Sequence, residues 1–409
     1  MLQVIEAFSG IGSQAKALKN LNVPHKIIAT IEWDIYAICA YDLIHNGSQD
    51  ISPYLKLNKD ELVNCLSSLN LSMDGKNPAS SISLKMMSED ALRRILCAIE
   101  RTHNLVNITN VKGADLPFHI DLLTYSFPCQ NLSVCGSWHG CMSGIDRNVK
   151  NSSGMLWEVE RILKERKDLG LKMPRFLLME NVSNILSKVN RKNFGEWQNY
   201  LETLGYYNQV YTLNATDFGI PQRRVRTFMI SVFCENMFVK KEVQNFFNAH
   251  DLQGKMIRPL EPLENYLRTD YNNIIYKKEA DASQPNDTPS RKKIFQDNEI
   301  LLDKNNVFAK TANTLTTKQD RNPNSGVIFY KTNVKGKSQY RYLTPRECFL
   351  LMGFDEKDFQ VIIDNNFKFN SNRYFFNRER LEKLAGNSIV VNILEEIFKQ
   401  IIEIDEIIS

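Results

Sequence analysis

The chain has no pair of cysteines spaced CxxC, although it carries eight cysteines in 409 residues. They stand at positions 39, 65, 97, 129, 135, 141, 234 and 348. That scatter argues against a zinc module and against a disulfide framework, so no metal site is expected and reduced thiols in a cytoplasmic setting are the simplest reading. No apolar run is long enough to span a bilayer, and the opening residues Met1-Leu2-Gln3-Val4-Ile5-Glu6 do not read as a signal peptide. No membrane partner is expected. Internal repeats are lacking too. Charge of one sign is in short supply: the net is +4, and residues 231–340 hold all of it, with 17 Lys and Arg against 13 Asp and Glu. Such a segment can face phosphates, but charge alone favours an ordinary solvated surface.

What the chain does have is enough apolar content, 43%, for a large core, read as one main domain plus a smaller one. Val4–Phe8 reads as a buried strand, followed by a glycine turn and a helix from about Ser13 to Leu18. Ile27–Ile31, Ile120–Tyr125 and Arg175–Met179 read as further strands. Strands alternating with helices predict an α/β fold with a Rossmann-like, mostly parallel, doubly wound sheet. Residues 46–106 read as a polar helical insertion. Composition shifts after Phe233 towards Asn, Lys and Asp, which predicts a second, less regular domain over 233–379, with Glu279–Lys293 as a loop. Ile389, Val390, Ile393, Leu394, Ile397, Phe398 and Ile401 fall at helical spacing, so a closing helix returns the chain to the first domain, 1–232 plus 380–409.

Five clusters carry chemistry. Phe127-Pro128-Cys129-Gln130-Asn131 follows a buried strand, so proline stiffens a turn that exposes Cys129, and a thiolate is the strongest common side-chain nucleophile. Glu180-Asn181-Val182 follows another strand. Ligands collect at the carboxyl ends of such strands, so Cys129 and Glu180 should converge on one crevice. The plain alternative for Glu180 is an acid favoured by a helix N-terminus. At the other end, Phe8-Ser9-Gly10-Ile11-Gly12 with Glu32 and Trp33 suits a nucleoside cofactor: glycines for close approach, an acid for ribose hydroxyls, an aromatic face for adenine. NAD and S-adenosylmethionine both fit that much. Core packing is the plain alternative for Phe8 and Trp33. Gln222, Arg224 and Arg226 alternate into an apolar run and should share one strand face, for phosphate binding or support of a carboxylate, unless they form a solvated edge. Gly386-Asn387-Ser388 should open the terminal helix, as a cap or as part of the cofactor pocket.

Taken in order, Phe8–Gly12, Glu32-Trp33, Pro128-Cys129, Glu180-Asn181-Val182, Gln222-x-Arg224-x-Arg226, Arg346-Glu347 and Gly386-Asn387-Ser388 resemble the motifs of DNA (cytosine-5)-methyltransferases. The tract Asp121–Gln130 is similar to that of CpG-specific members from mollicutes. The resemblance implies S-adenosylmethionine as cofactor, held by Phe8, Ser9, Gly10, Ile11, Gly12, Glu32, Trp33, Asn107, Pro128, Asn387 and Ser388. Asn107 stands where the family usually has an acid that meets the adenine amino group. It further implies Cys129 as nucleophile, Glu180 as the group that holds the target cytosine, Arg224 as orienting residue with Gln222 and Arg226 in support, and DNA contacts from Ser133 and Thr314. Gly136–Gly154 would close over DNA as a lid. Duplex DNA is the implied partner of a monomeric, cytoplasmic, nucleoid-associated prokaryotic enzyme, with a cognate restriction endonuclease where it serves restriction–modification. Two rivals have weaker support. A tRNA cytosine methyltransferase should carry a Cys-Phe-Thr signature, which is absent here. A catalytically dead DNA-binding regulator does not need the intact Pro-Cys and Glu-Asn-Val pairs.

Overall fold

A computed structural model describes residues 1–128, 145 and 152–408. Six strands form the main sheet: β1 (Leu2–Ala7), β2 (His25–Ile31), β3 (Leu122–Tyr125), β4 (Phe176–Val182), β5 (Tyr206–Asn214) and β6 (Val225–Phe233). Their order is β2-β1-β3-β4-β6-β5. All run the same way except β6, which pairs antiparallel with β4 and with β5. Both sheet faces are covered, which is why β3 and most of β4 are continuous apolar runs. Leu122, Phe176, Leu178 and Phe228 pack on one side with the helices α1 (Ser13–Asn20) and α2 (Ile35–Asn46). Leu123, Leu177, Met179 and Met229 pack on the other with residues of Leu156–Asp168 and Arg191–Thr203.

The 46–106 insertion folds as α3 (Lys59–Ser67), α4 (Ser81–Lys85) and α5 (Glu89–Arg101), and its buried leucines and isoleucines extend the core around α2. The helices on the opposite face are then α6 (Leu156–Asp168) and α7 (Arg191–Thr203). Past β6 come α8 (Met237–Ala249), α9 (Ile274–Ser283), α10 (Pro289–Asp297) and a small sheet of β7 (Ile300–Leu302), β8 (Val327–Phe329) and β9 (Tyr340–Tyr342). This region is more regular than its composition predicts. Only residues 284–288 of the expected Glu279–Lys293 loop are irregular, because Pro289 takes the first position of α10, where its missing N–H costs nothing, and the Thr288 side chain caps that helix.

The chain returns through α11 (Pro345–Leu350), α12 (Glu356–Asp364), the hairpin β10 (Lys368–Asn370) and β11 (Arg373–Tyr374), α13 (Arg378–Asn387) and α14 (Val391–Ile408). Three ion pairs, made by two buried cations, fix this path. Arg341 and Glu347, both fully buried, form a bidentate pair with two 2.8 Å bonds. Lys16 on α1, also buried, reaches Asp355 at 2.6 Å and Asp358 at 2.7 Å around the start of α12. The apolar face of the last helix is as expected, with Val391, Ile393, Leu394, Ile397, Phe398 and Ile401 buried. Its start is not. Gly386 and Asn387 end α13 and Ser388 is that helix's C-terminal cap, with its N–H bonded to Ala385 O.

Candidate active site

At the end of β1 the backbone turns through three left-handed residues, Phe8, Gly10 and Gly12, with φ of 56°, 54° and 79°. The two glycines do different work. A Cβ on Gly12 would lie 2.2 Å from His45 Nε2 and 2.6 Å from Tyr41 Cε2, whereas one on Gly10 would meet nothing within 4 Å. Gly12 therefore lets α1 seat on α2, and Gly10 keeps the mouth of the crevice open. Ile11 is core, and its carbonyl can only accept, so His45 Nε2 carries the proton in their 3.0 Å bond. Burial holds that imidazole down to about 4, so it stays neutral. Beneath the turn, buried Glu6 accepts from Ala15 N at 2.8 Å, and burial pushes its carboxyl up to about 7.

Glu32 sits at the carboxyl end of β2 and ties the turn to it. Its Oε2 accepts from Gly10 N at 3.0 Å, and its Oε1 from Trp33 N and Asp34 N at 2.9 Å each. Burial, helped by the charge on Asp34, raises this carboxyl to about 7. A carboxylate oxygen has two lone pairs, so Oε2 still has capacity for a hydroxyl. Half-buried Phe8 and Trp33 stand beside it, and Asn387, the last residue of α13, is exposed. Open space over Gly10, an acid and two aromatic faces fit the nucleoside half of S-adenosylmethionine. Asn107 uses its Oδ1 within its own turn, accepting from Thr109 N at 3.0 Å and from the Thr109 hydroxyl at 2.9 Å.

The acid Glu180 lies inside β4 rather than after it, level with Phe228 of β6. It is the point where the apolar run stops. Burial pushes its carboxyl up, and the Arg226 and Arg224 guanidiniums only partly oppose that. Arg226 Nε lies 3.4 Å from Glu180 Oε1, a diagonal pair across the two strands. Next to it, buried Asn181 donates from Nδ2 to Phe127 O at 3.0 Å. Ser126 Oγ, in turn, donates to Phe8 O at 3.3 Å. The stem of the Pro128 turn is thus pinned to β4 on one side and to the glycine turn on the other. Cys129 and Ser133 lie outside the described residues, as does nearly all of the expected lid, Cys135 and Cys141 included.

The Gln222–Arg226 reading needs correcting. β6 begins at Val225, so Gln222 and Arg224 precede the strand and only Arg226 lies in it. Both are buried at a junction of three segments. Gln222 accepts from Leu315 N and donates to Leu351 O, each at 2.8 Å. Arg224 donates to Leu315 O at 2.9 Å, Gly386 O at 3.0 Å and Ser388 O at 2.8 Å. Among the described residues Arg226 is the one ion-paired with Glu180. The junction is close-packed, since a Cβ on Gly386 would lie 2.6 Å from Thr316 O. Thr314 stands at its edge, donating to Arg223 O at 2.5 Å.

Two asparagines escaped the sequence reading. Asn181 was seen only as part of a tripeptide. Asn104 was not singled out, yet it accepts from Glu32 N at 3.1 Å and from Val106 N at 2.9 Å, and donates to Glu32 O at 3.0 Å. Val106 itself is held at φ 61°, a rare conformation for a β-branched residue. An isolated asparagine in a polar stretch gives no signal that could have found it.

Comparison with known proteins agrees with this geometry. The family described as "C-5 cytosine-specific DNA methylase" matches residues 57–403. The orphan methyltransferase M.SssI of Spiroplasma monobiae is 34% identical over 406 residues, covering 98% of this chain and 97% of the relative. The type II methyltransferase M2.ScrFI of Lactococcus lactis subsp. cremoris is 33% identical, covering 98% and 99%. Among solved structures, the Dnmt2 methyltransferase of S. pombe superposes with a TM-score of 0.60 at 16% identity, covering 98% of this chain and 99% of that one, which shows a shared fold.

Proposed function

Since this chain belongs to the C-5 cytosine-specific DNA methylases, we propose that Cys129 is its nucleophile, Glu180 its acid and the Phe8–Gly12 turn with Glu32 its cofactor seat. The reaction is the transfer of a methyl group to carbon 5 of cytosine in DNA. A stacked base hides that carbon, so the cytosine must leave the helix, at a cost of a few kcal/mol. The Cys129 thiolate adds to carbon 6 and forms an S–C6 bond. The electron pair of the 5,6 double bond moves onto the ring, where a protonated Glu180 donates a hydrogen bond to nitrogen 3. A carboxyl lifted by burial suits that donor role. S-adenosylmethionine, when bound, supplies an electrophilic methyl group for carbon 5. Loss of the carbon 5 proton and departure of the thiolate restore the double bond and the free cysteine.

Glu32 would hold the ribose hydroxyls, Phe8 and Trp33 the adenine faces, with Ser9, Gly10, Gly12, Asn107, Pro128, Asn387 and Ser388 around them. Ser133 and Thr314 would meet DNA. Arg226 would tune Glu180, while Gln222 and Arg224 act as positioning residues that tie the 314–316 segment to the catalytic sheet. The observation that carries this assignment is the buried Glu180 beside a Phe127–Pro128 stem that Asn181 holds in place.

Duplex DNA bearing 5-fluorocytosine tests it. Fluorine at carbon 5 cannot leave as a proton does, so a covalent complex must accumulate with the methyl donor present and must vanish in Cys129→Ala. No cross-link at any cytosine would end the assignment. Bisulfite sequencing of DNA from expressing cells reads the target sequence directly.

A further inference from the structure

Two clusters of cations lie against α13, and they differ in one decisive respect. The first lines the cleft between α10 and α13, about 560 Å³ in volume. Its three arginines are already ion-paired: Arg291 and Arg321 lie 3.5 Å and 3.3 Å from Asp320, and Arg378 lies 2.6 Å from Glu382, while Lys337 donates to Gln284 O at 3.0 Å and leaves Lys318 as the one lining cation with neither kind of partner among the described residues. The second cluster is the β10–β11 hairpin and the first turns of α13. Between Asn366 and Lys383 there are five Lys or Arg and two Glu. Lys383 is taken by Asp34 at 2.7 Å and Arg378 by Glu382. Lys368, Arg373 and Arg380 form no ion pair with any described carboxylate.

Those three cations rest instead on aromatic shelves. Lys368 Nζ lies 3.8 Å from the centre of the Tyr374 ring, the Arg373 guanidinium 4.1 Å from that of Phe369, and the Arg380 guanidinium 3.8 Å from that of Tyr36. A cation over a ring loses little side-chain entropy when an anion arrives, and Lys368 and Arg373 keep their outer N–H groups for one, whereas half-buried Arg380 already donates to Phe375 O at 2.7 Å and can offer only its remaining N–H groups. Lys368, Arg373 and Tyr374 are all exposed. The hairpin is also firmly seated, because Ser88 at the start of α5 donates to Phe369 O and Lys368 O, each at 2.7 Å.

We propose that this hairpin, with Arg380, is a second DNA-backbone surface that holds duplex phosphates flanking the target cytosine. Helix α13 supplies the geometry. Its far end carries Gly386, which is bonded to Arg224 at the active-site junction. Six residues separate Gly386 from Arg380, about 9 Å along the axis at 1.5 Å per residue, which is the length of about three base-pair steps. A duplex seated over the crevice therefore presents phosphates at that distance on one flank. The proposal rests on the chain's DNA-methylating activity, which already supplies duplex DNA as the polyanion.

The test uses the full chain, with Lys368→Gln and Arg373→Gln combined, and two mixed-sequence duplexes with the same central CG step, one of about six base pairs closed by a non-ionic linker, too short to reach three steps from the centre, and one of about four helical turns. Each lost phosphate contact should lower the slope of log affinity against log salt by about 0.9, so the double variant should lose about 1.8 on the long duplex and nothing on the short one. Methyl transfer to the short duplex should be unchanged, and the charge-keeping pair Lys368→Arg with Arg373→Lys should keep the wild-type slope. Equal slopes for variant and wild type on the long duplex would overturn the proposal. An equal drop on the short duplex would overturn it too, since the contacts would then lie within the target. Failure of wild-type protein to methylate either DNA would instead strike at the reaction itself.

Discussion

Gly10 and Gly12 are two residues apart, and alanine at each should fail in a different way. Both have positive φ, so an alanine pays about 1–2 kcal/mol at either position for a left-handed backbone. At Gly10 little is added, because the new methyl group points into open space. At Gly12 the methyl group would overlap His45 Nε2 and Tyr41 Cε2. Overpacking adds about 1–3 kcal/mol. Displacing His45 breaks its bond to Ile11 O, worth about 1 kcal/mol. Gly12→Ala should therefore be about 2–4 kcal/mol less stable than Gly10→Ala. Chemical unfolding of the two ligand-free variants measures the difference. Titration calorimetry with S-adenosylmethionine supplies the second readout: Gly10→Ala should bind at least about tenfold more weakly (about 1.4 kcal/mol) while staying folded. If the two variants unfold together, or if Gly12→Ala is as stable as wild type, the assignment of separate duties to these glycines is wrong.

Cys129→Ala should abolish methyl transfer and leave cofactor affinity near wild type, and Glu180→Gln should slow transfer by about 10²–10⁴-fold, both read by incorporation of labelled methyl into DNA. Glu6 has a folded pKa of about 7 against 4.5 for an ordinary glutamate, so its contribution is fully present below about pH 4.5 and is lost as pH climbs through 7. The loss amounts to about 3 kcal/mol at 1.36 kcal/mol per unit. Urea midpoints taken between about pH 5 and pH 8 should fall in wild type and fall less steeply in Glu6→Gln, where Glu32 still titrates; parallel curves would contradict this. Glu347→Gln strands Arg341 in a fully buried site and should cost about 3–5 kcal/mol, whereas replacing both partners by apolar residues should cost much less, as unfolding of the single and double variants would show.

The class of fold and the order of the chemical motifs are legible in the residues alone, and the reaction through their resemblance to a family. Those signals are local: apolar runs bounded by glycine and proline, and residue types whose chemistry survives without coordinates. Glu32 was legible because it is an acid at the end of a strand, about twenty residues past a glycine turn, the spacing expected of a ribose-binding acid. Glu180 was legible because a lone acid ends an apolar run.

Only the tertiary structure decided what holds these groups. Gln222 and Arg224 read as a strand face, yet each binds backbone about 90 to 160 residues away, and no periodicity reports a partner that distant. Gly386 read as the start of a helix and proved to be near the end of one, because its lack of a side chain serves a close approach by Thr316 rather than a turn. Asn104 carries no pattern at all, and Asn181 only its place in Glu180-Asn181-Val182. Their work is to satisfy particular carbonyl and N–H groups, and which groups are left unsatisfied is known only once the strands are in register.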